Sequence, residues 1–121
     1  IRDSIDTDEL QKLELLAGGD ENFMRDMLAN FERDAENDIN GLEGAVARRD
    51  WQAFRDCAHA LKGAALYLGL KQLASLSAEA QNLGHDAFER HGIEKVQDLR
   101  RAADSALEAL RERVGFPRKM G

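Results

Sequence analysis

The amino-acid sequence predicts an all-α domain: an up-down-up-down four-helix bundle with a short extra N-terminal helix. Three observations predict this class. Ala, Leu, Glu and Arg, all good helix formers, are abundant among the 121 residues, and there is one proline. Apolar residues recur three or four positions apart along most of the chain. Four amphipathic helices with short connections bury their apolar stripes best in such a bundle.

The composition excludes several classes of protein. With 43% hydrophobic and 33% charged residues, the chain is expected to form one globular domain rather than a disordered segment. A net charge of −6 argues against nucleic acid or anionic lipid as the main partner. No apolar run reaches the length of a membrane span, and the N-terminus does not resemble a signal peptide.

Two further features suggest where such a domain would work. The lone Cys57 cannot form an internal disulfide, which fits a reducing, cytoplasmic location. The chain begins at Ile1 rather than methionine, so we expect a module excised from a longer protein.

Capping signals bound the first two predicted helices. The first is predicted over Thr7–Ala17, with Asp6 as N-cap, Glu9 in the capping-box position and Gly18-Gly19 as its end. The second is expected to begin near Asp20. Its apolar stripe comprises Met24, Met27, Leu28, Phe31, Ala35, Ile39, Leu42 and Val46.

The third helix is predicted to run from Trp51, capped by Asp50, to about Leu68, with Gly69 either ending or bending it. Its buried stripe comprises Phe54, Ala58, Leu61, Ala65 and Leu68. The fourth helix is broken by Gly84. Its apolar positions are Leu73, Leu76, Ala80 and Leu83.

The last helix is expected to follow a polar connection over residues 84–92 and to end at Gly115. Its apolar stripe comprises Ile93, Val96, Leu99, Ala103, Leu107, Leu110 and Val114. These elements define one domain over residues 5–115, followed by a basic tail over residues 116–121.

His59 is predicted to point away from the core. At about 100° per residue, Phe54, Ala65 and Leu68 lie within roughly 40° of Leu61, whereas His59 lies roughly 160° away. Lys62 follows His59 by three residues on the helix surface.

Other neighbours also favour a functional surface around this histidine. Arg55 precedes His59 by four residues and Gly63 follows it by four, where the absence of a Cβ leaves room for an approaching surface despite the helix penalty. Leu66 and Leu70 lie in the same sector, and Tyr67 lies on its flank.

We interpret Leu66, Tyr67 and Leu70 as an exposed apolar contact patch, with Arg55 and Asp56 as further docking residues. The alternative, that the first helix or a bend at Gly69 covers the patch, stays open.

The chemistry that suits this surface is phosphoryl transfer through the imidazole. A neutral histidine can present a ring nitrogen as nucleophile, and Lys62 and Arg55 could bind the phosphoryl oxygens. The sequence contains no phosphate-binding glycine loop and no kinase signature. The domain is therefore expected to carry a phosphoryl group without an ATP site of its own, and not to be an enzyme.

This stretch resembles the histidine-containing phosphotransfer (HPt) family of phosphorelays, whose signature is His-x-Leu-Lys-Gly, then small residues, and a glycine ten positions after the histidine. The matching positions are His59, Leu61, Lys62, Gly63, Ala65 and Gly69. The preceding Ala58 and the segments "GGDENFMRDMLANFERDAEN" and "RRDWQAFRDCAHALKG" also fit, so the likeness covers about residues 5 to 112. Ala64 and "LYLGL" depart from the Ser or Asn-Leu-Gly of many members.

The resemblance implies that His59 accepts a phosphoryl group from a receiver-domain aspartate and passes it to another receiver. Lys62 would lie beside that group, and Gly63 would permit close docking. The magnesium ion for transfer belongs to the receiver in that family, so no cofactor or metal of the domain's own is expected. The domain is expected to be a module of a hybrid sensor kinase, whose kinase core would be a further partner and which could itself be membrane-bound.

Two other functions compete with this interpretation. One is a docking module that binds a receiver or other regulatory protein without transferring phosphate. The other is a catalytic or metal-binding bundle. Asp56 and His59 have the spacing of a helical carboxylate–histidine pair, but such sites need ligands inside the core. His85 and His91 are expected in a solvated loop, and Cys57 at the edge of the core.

Overall fold

A computed structural model describes residues 7–18 and 20–114, and all five of its elements are α-helices. They are α1 (Thr7–Ala17), α2 (Glu21–Arg48), α3 (Trp51–Tyr67), α4 (Lys71–Gln81) and α5 (His85–Val114). Among these residues, no helix is both long and apolar enough to cross a membrane.

Helices α2 to α5 form a closed ring in which α2 contacts α3, α3 contacts α4, α4 contacts α5 and α5 returns to α2. Ion pairs fix the direction of the last pair, since Arg100 meets Glu43 and Arg111 meets Glu32. Helix α5 therefore runs antiparallel to α2. The predicted four-helix bundle is confirmed, with α1 as the extra helix packed against α2.

Aspartates cap the helices that position the site: Asp20, at the predicted start of α2, and Asp50, the predicted N-cap of α3. The Asp20 carboxylate accepts hydrogen bonds from the backbone N–H groups of Asn22 and Phe23, at 2.9 and 3.3 Å. The Asp50 carboxylate accepts one from the Ala53 N–H at 3.0 Å. These acceptors satisfy helix N–H groups that have no partner within the helix.

The core contains the apolar stripe that the sequence predicts for α3. Phe54, Ala58, Leu61 and Ala65 are fully buried, and the Phe54 ring lies 5.0 Å from the ring of Phe88 on α5. Most of the predicted stripe of α2 is buried with them, while Met27 and Val46 are half-buried. This packing fixes the rotation of α3 about its own axis.

The predicted polar connection over residues 84–92 is wrong, because α5 already begins at His85. Two features of this stretch favour a helix. Phe88 is buried against the core, and Gly92 is buried where a Cβ would lie 3.1 Å from Val46 Cγ2. The charged residues meet across one helical turn, as in the pair of Arg90 with Asp86.

The earlier start of α5 also changes which residues face the core. The inward face runs through Phe88 and Val96, so Ile93, predicted as core, is 49% exposed. The predicted helix end at Gly115 and the tail at 116–121 lie outside the described residues, as do Asp6 and the predicted domain limits at 5 and 115.

Gly41 lies where α2 and α3 approach closely, since a Cβ there would be 2.8 Å from Cys57 Sγ. Gly63 is a matched control, because a Cβ there meets nothing within 4 Å. An alanine in place of glycine stabilises an exposed helix by about 1 kcal/mol. We expect Gly63→Ala to gain this amount and Gly41→Ala to gain less or to lose stability, as measured by urea unfolding.

A Cys57→Ala background checks the cause of the difference. It removes the sulfur atom, so Gly41→Ala should then gain stability much as Gly63→Ala does. Equal gains at the two glycines in the presence of Cys57 would contradict the close approach.

Candidate functional site

His59 lies on the solvent side of α3, with its side chain exposed. Ala58 and Leu61, one residue before and two residues after it, are buried, so this packing of α3 turns His59 toward solvent. His59 makes no hydrogen bond or ion pair with the rest of the described chain. A ring nitrogen is therefore available to an incoming group.

Lys62 and Gly63 lie one helical turn beyond His59. Lys62 is half-buried, and no carboxylate in residues 7–18 or 20–114 pairs with its ammonium group. Gly63 is exposed, and the space where its Cβ would be is open. Packing within the domain thus gives no reason for a glycine here, and the helix is weakened by about 1 kcal/mol relative to alanine.

Arg55 lies one turn before His59 and is held against the end of α4. Its Nε donates a hydrogen bond to the backbone carbonyl of Gln81 at 3.1 Å. Its guanidinium carbon lies 5.1 Å from the ring centroid of Trp51. The neighbouring Asp56 is exposed and accepts a hydrogen bond from Gln52 Nε2 at 2.9 Å.

The surroundings of the three histidines differ in charge. His85 Nε2 lies 3.8 Å from Glu89, and His91 Nδ1 lies 3.0 Å from Glu94. Both of these rings are exposed, so exposure does not distinguish His59 from them. A carboxylate beside the ring repels a phosphoryl group. His59 has Arg55 and Lys62 within one helical turn, and the carboxylate of Asp56, also one turn away, accepts a hydrogen bond from Gln52. Of the three histidines, His59 is the one whose ring pairs with no carboxylate in the described structure.

The apolar patch is smaller than predicted. Leu66 and Tyr67 are 55% and 59% exposed, but Leu70 is fully buried, so its prediction as an exposed docking residue is wrong. The reason is Gly69, whose φ of 71° lies in the left-handed region. The chain leaves the helix there, and Leu70, whose N–H donates to the Ala65 carbonyl, turns into the core.

A groove of about 440 Å³ runs beside this patch, between the first half of α2 and the end of α3. Most of its lining is apolar or aromatic, and the rest is two aspartates and an asparagine. The lining residues are Phe23, Asp26, Met27, Asn30, Phe31, Asp34, Ala64, Tyr67 and Leu68. Sequence reasoning missed this groove. The signal that could have indicated it is Phe23, an aromatic residue outside the apolar stripe of α2. In the structure Phe23 is 41% exposed.

Gln81 is a second residue that sequence reasoning missed. Its carbonyl holds Arg55, and its side-chain Oε1 is buried without a hydrogen-bond partner in the described structure. The hydroxyl of Ser77, one turn earlier on α4, is also buried without a partner there. No sequence pattern indicated either residue, because their burial depends on how α4 packs.

Cys57 is a poor competitor to His59 as a nucleophile. Burial is the largest cause that raises the pKa of the thiol above its ordinary value of 9.0, and the nearby Asp38 and Asp56 raise it further. Arg48 lowers this pKa and offsets part of the rise. The thiol stays protonated at neutral pH, and the thiol form is not the nucleophile. As predicted, Cys57 lies half-buried at the edge of the core. In the part of the chain that the structure describes, no group of three His, Cys, Asp or Glu residues could hold a metal ion.

The bundle places one outward histidine beside two cationic side chains, an arrangement suited to carrying an anionic group such as a phosphoryl group. The Hpt domain model matches residues 26–113, and the chain belongs to this family. It is thus a phosphotransfer module of two-component signalling, and the members of its family carry phosphoryl groups rather than act as kinases.

Known proteins agree with this assignment. The chain is 31% identical over 110 residues to the sensory/regulatory protein RpfC in two strains of Xanthomonas campestris pv. campestris. The match covers 91% of this chain but 15% of those relatives' length. The crystal structure of histidine-containing phosphotransfer protein B (HptB) from Pseudomonas aeruginosa PAO1 shares the fold, with a TM-score of 0.81 and 20% identity. That likeness covers 94% of this chain and 96% of HptB.

The carboxyl group of Asp38, on α2 near Cys57, should make stability depend on pH. Burial, and then Asp34, raise the pKa of Asp38 from 3.8 to about 6. The folded protein therefore holds this proton more tightly than the unfolded chain, and the stabilisation is lost as pH rises from about 4 through about 6. We expect Asp38→Asn to be more stable than the parent at pH 8, with the difference shrinking at pH 4. Urea unfolding at both values tests this, and a pH-independent difference would contradict it.

Proposed function

We propose that His59 is the phosphoryl acceptor of this domain, taking the group from an aspartyl phosphate of one receiver domain and passing it to another. The observation that supports the proposal is the difference in charged neighbours among three exposed histidines. His85 and His91 have glutamates beside their rings, whereas His59 has an unpaired lysine and an arginine one turn away.

The transfer is a displacement at phosphorus. The unprotonated ring nitrogen of His59 forms a bond to phosphorus, and the bond from phosphorus to the receiver's carboxylate oxygen breaks. The electron pair of that bond leaves with the aspartate, and the other ring nitrogen keeps its proton. The reverse displacement by a second aspartate returns the imidazole. No net oxidation or reduction occurs.

Lys62 is proposed to stabilise the phosphoryl group on His59. Its ammonium group lies one turn from the histidine and has no carboxylate of the described chain to neutralise it. A phosphoryl group carries nearly two negative charges at neutral pH. Because Lys62 is half-buried, less solvent screens its attraction for that group than at a fully exposed position.

The receiver is proposed to dock over Gly63, Leu66, Tyr67 and the groove beside them. The open space at Gly63 lets its surface approach the ring of His59, and the two exposed apolar side chains offer area to bury. The magnesium ion for the reaction would come with the receiver. We propose a cytoplasmic setting within a hybrid sensor kinase, whose kinase core is a second partner.

A docking module that transfers no phosphate is the second candidate, which the groove between α2 and α3 favours. Docking alone does not require an outward histidine beside an unpaired lysine. The experiment below separates the two candidates.

The first prediction concerns His59 itself. Incubation with a phosphorylated receiver should label the domain, and the label should be labile in acid and stable in base. His59→Gln should remove it, while His85→Gln and His91→Gln, matched controls at exposed positions, should retain it. A receiver that binds the parent domain without labelling His59 would support the docking module instead.

The second prediction concerns Lys62. Lys62→Ala should slow transfer to His59 or shorten the lifetime of the phosphohistidine by about ten-fold, the loss expected of a charge-assisted contact of ~1.5 kcal/mol. Stopped-flow or quenched transfer assays measure the rate. The control Lys95→Ala removes a lysine paired with Glu79 on another face and should leave the rate unchanged. A Lys62→Ala domain as fast as the parent contradicts the role.

The third prediction concerns Gly63. Gly63→Leu should weaken receiver binding while leaving the domain folded, because the side chain fills open space above α3 rather than the core. Calorimetric titration with a receiver measures the affinity, and circular dichroism checks the fold. An affinity equal to that of the parent would overturn the docking role of this glycine.

A further inference from the structure

The groove between α2 and α3 combines aromatic walls with negative charge. Phe23 and Tyr67, which line it, are 41% and 59% exposed. Asp26 and Asp34 also line it, and no lysine or arginine of the described chain does. The groove therefore offers aromatic surface and carboxylates together to a ligand from outside.

Other acidic residues of α2 have partners within the fold. Glu32 and Glu43, on the side of α2 that faces α5, pair with Arg111 and Arg100 at 3.0 and 3.1 Å. Asp26, on the side of the groove, makes no ion pair with any residue of the described chain. The fold thus neutralises one side of α2 and leaves negative charge at the groove.

Asp34 also keeps most of its charge. Its ion pair with Arg33 is long, at 3.8 Å between Nε and Oδ1, and Arg33 donates a closer hydrogen bond to Asn30 at 3.0 Å. Exposed ion pairs of this kind contribute little to stability. Burial, and then Asp34, raise the pKa of Asp38, so the charge of Asp34 acts on a carboxyl group one turn away. A cation entering the groove would offset this repulsion.

An arginine side chain fits these features. Its apolar stem can lie along hydrophobic surface while its charged end stays at the rim. The guanidinium group is planar, stacks on aromatic rings and pairs with carboxylates through parallel hydrogen bonds. The ammonium group of lysine is more strongly hydrated and lacks this planar geometry, so it fits the aromatic walls less well.

The groove lies within reach of a protein that docks on His59. Ala64 and Tyr67, which line the groove, follow His59 by five and eight residues. At 1.5 Å per residue they lie about 8 and 12 Å further along the axis of α3. A standard interface covers about 800 Å² on each partner, a patch roughly 30 Å across. A receiver centred on His59 therefore extends over the groove.

Resting on the proposed function of His59, we propose that this groove receives an arginine of the receiver's docking face, with Asp26 and Asp34 as its ion-pair partners. The two carboxylates touch no reacting atom. They determine which receiver binds and how readily it docks, and not the rate of the phosphoryl step. A receiver with an acidic residue at that place meets like charges and is rejected.

Two short peptides test the groove without a receiver. One is acetyl-Leu-Arg-Leu-amide, and the other has citrulline, which is uncharged and has nearly the same shape, in place of arginine. In ¹⁵N nuclear magnetic resonance titrations the arginine peptide should shift the amide signals of the groove and bind more tightly. The expected difference is about two- to five-fold for each aspartate, as exposed ion pairs give.

The double variant Asp26→Asn with Asp34→Asn should abolish this difference between the peptides. Equal binding of the two peptides to the parent domain would overturn the proposal. Shifts spread over the other acidic surfaces, with none concentrated at the groove, would overturn it as well.

The receiver that labels His59 then tests the selection. In the double variant the receiver concentration for half-maximal transfer should rise about four- to twenty-fold, because losses at two sites ~12 Å apart on a helix multiply. The rate at saturating receiver should stay that of the parent. Asp104→Asn, which removes an exposed aspartate of α5 that has no partner in the described chain, is the control for each single replacement. It should transfer like the parent.

The outcomes separate this proposal from the proposed function. A double variant that is labelled at the same receiver concentrations as the parent overturns the arginine groove and leaves the role of His59 standing. Tighter binding of the arginine peptide after Arg118→Gln with Lys119→Gln would mean that cations of this chain fill the groove, and would also overturn it. Absence of labelling in parent and variant alike, beside normal binding of the arginine peptide, overturns the proposed function instead.

Discussion

The burial of one face of α3 is the constraint on which the rest of the site depends. Phe54, Ala58, Leu61 and Ala65 are fully buried, so α3 cannot rotate without exposing this stripe to water. The small residues Ala58 and Ala65 let the neighbouring helices approach, as Gly41 does where α2 passes Cys57. His59 points outward because the opposite side of its helix is committed to the core. The stability of the bundle and the exposure of the imidazole therefore have the same cause.

Electrostatics then distinguishes this histidine from the other two. The chain has a net charge of −6, and most of the arginines on α5 are neutralised by aspartates or glutamates. Around His59 the pattern reverses, since Arg55 and Lys62 have no carboxylate partner within the described chain. Two cations without carboxylate partners, on either side of an exposed imidazole, favour an anion at that ring.

The sequence predicts more of the site than of its surroundings. The outward direction of His59 follows from helix periodicity alone, and so do the positions of Arg55 and Lys62. Leu70 was misplaced because periodicity was continued through Gly69, whose left-handed backbone ends the helix. The start of α5 was missed because residues 84–92 are mostly polar, although Phe88 is an anchor in the core. The groove and the contacts of Trp51 and Gln81 depend on how separate helices pack, and no periodicity within one segment reports that.

The most direct test of this account is to locate the phosphoryl group among the three histidines. The domain is phosphorylated by a receiver, kept at alkaline pH, and its histidine nitrogens are followed by ¹⁵N and ³¹P nuclear magnetic resonance. The account predicts phosphorus on a ring nitrogen of His59, with His85 and His91 unmodified despite their exposure. A phosphoryl group on His85 or His91, or none on any histidine, would contradict it.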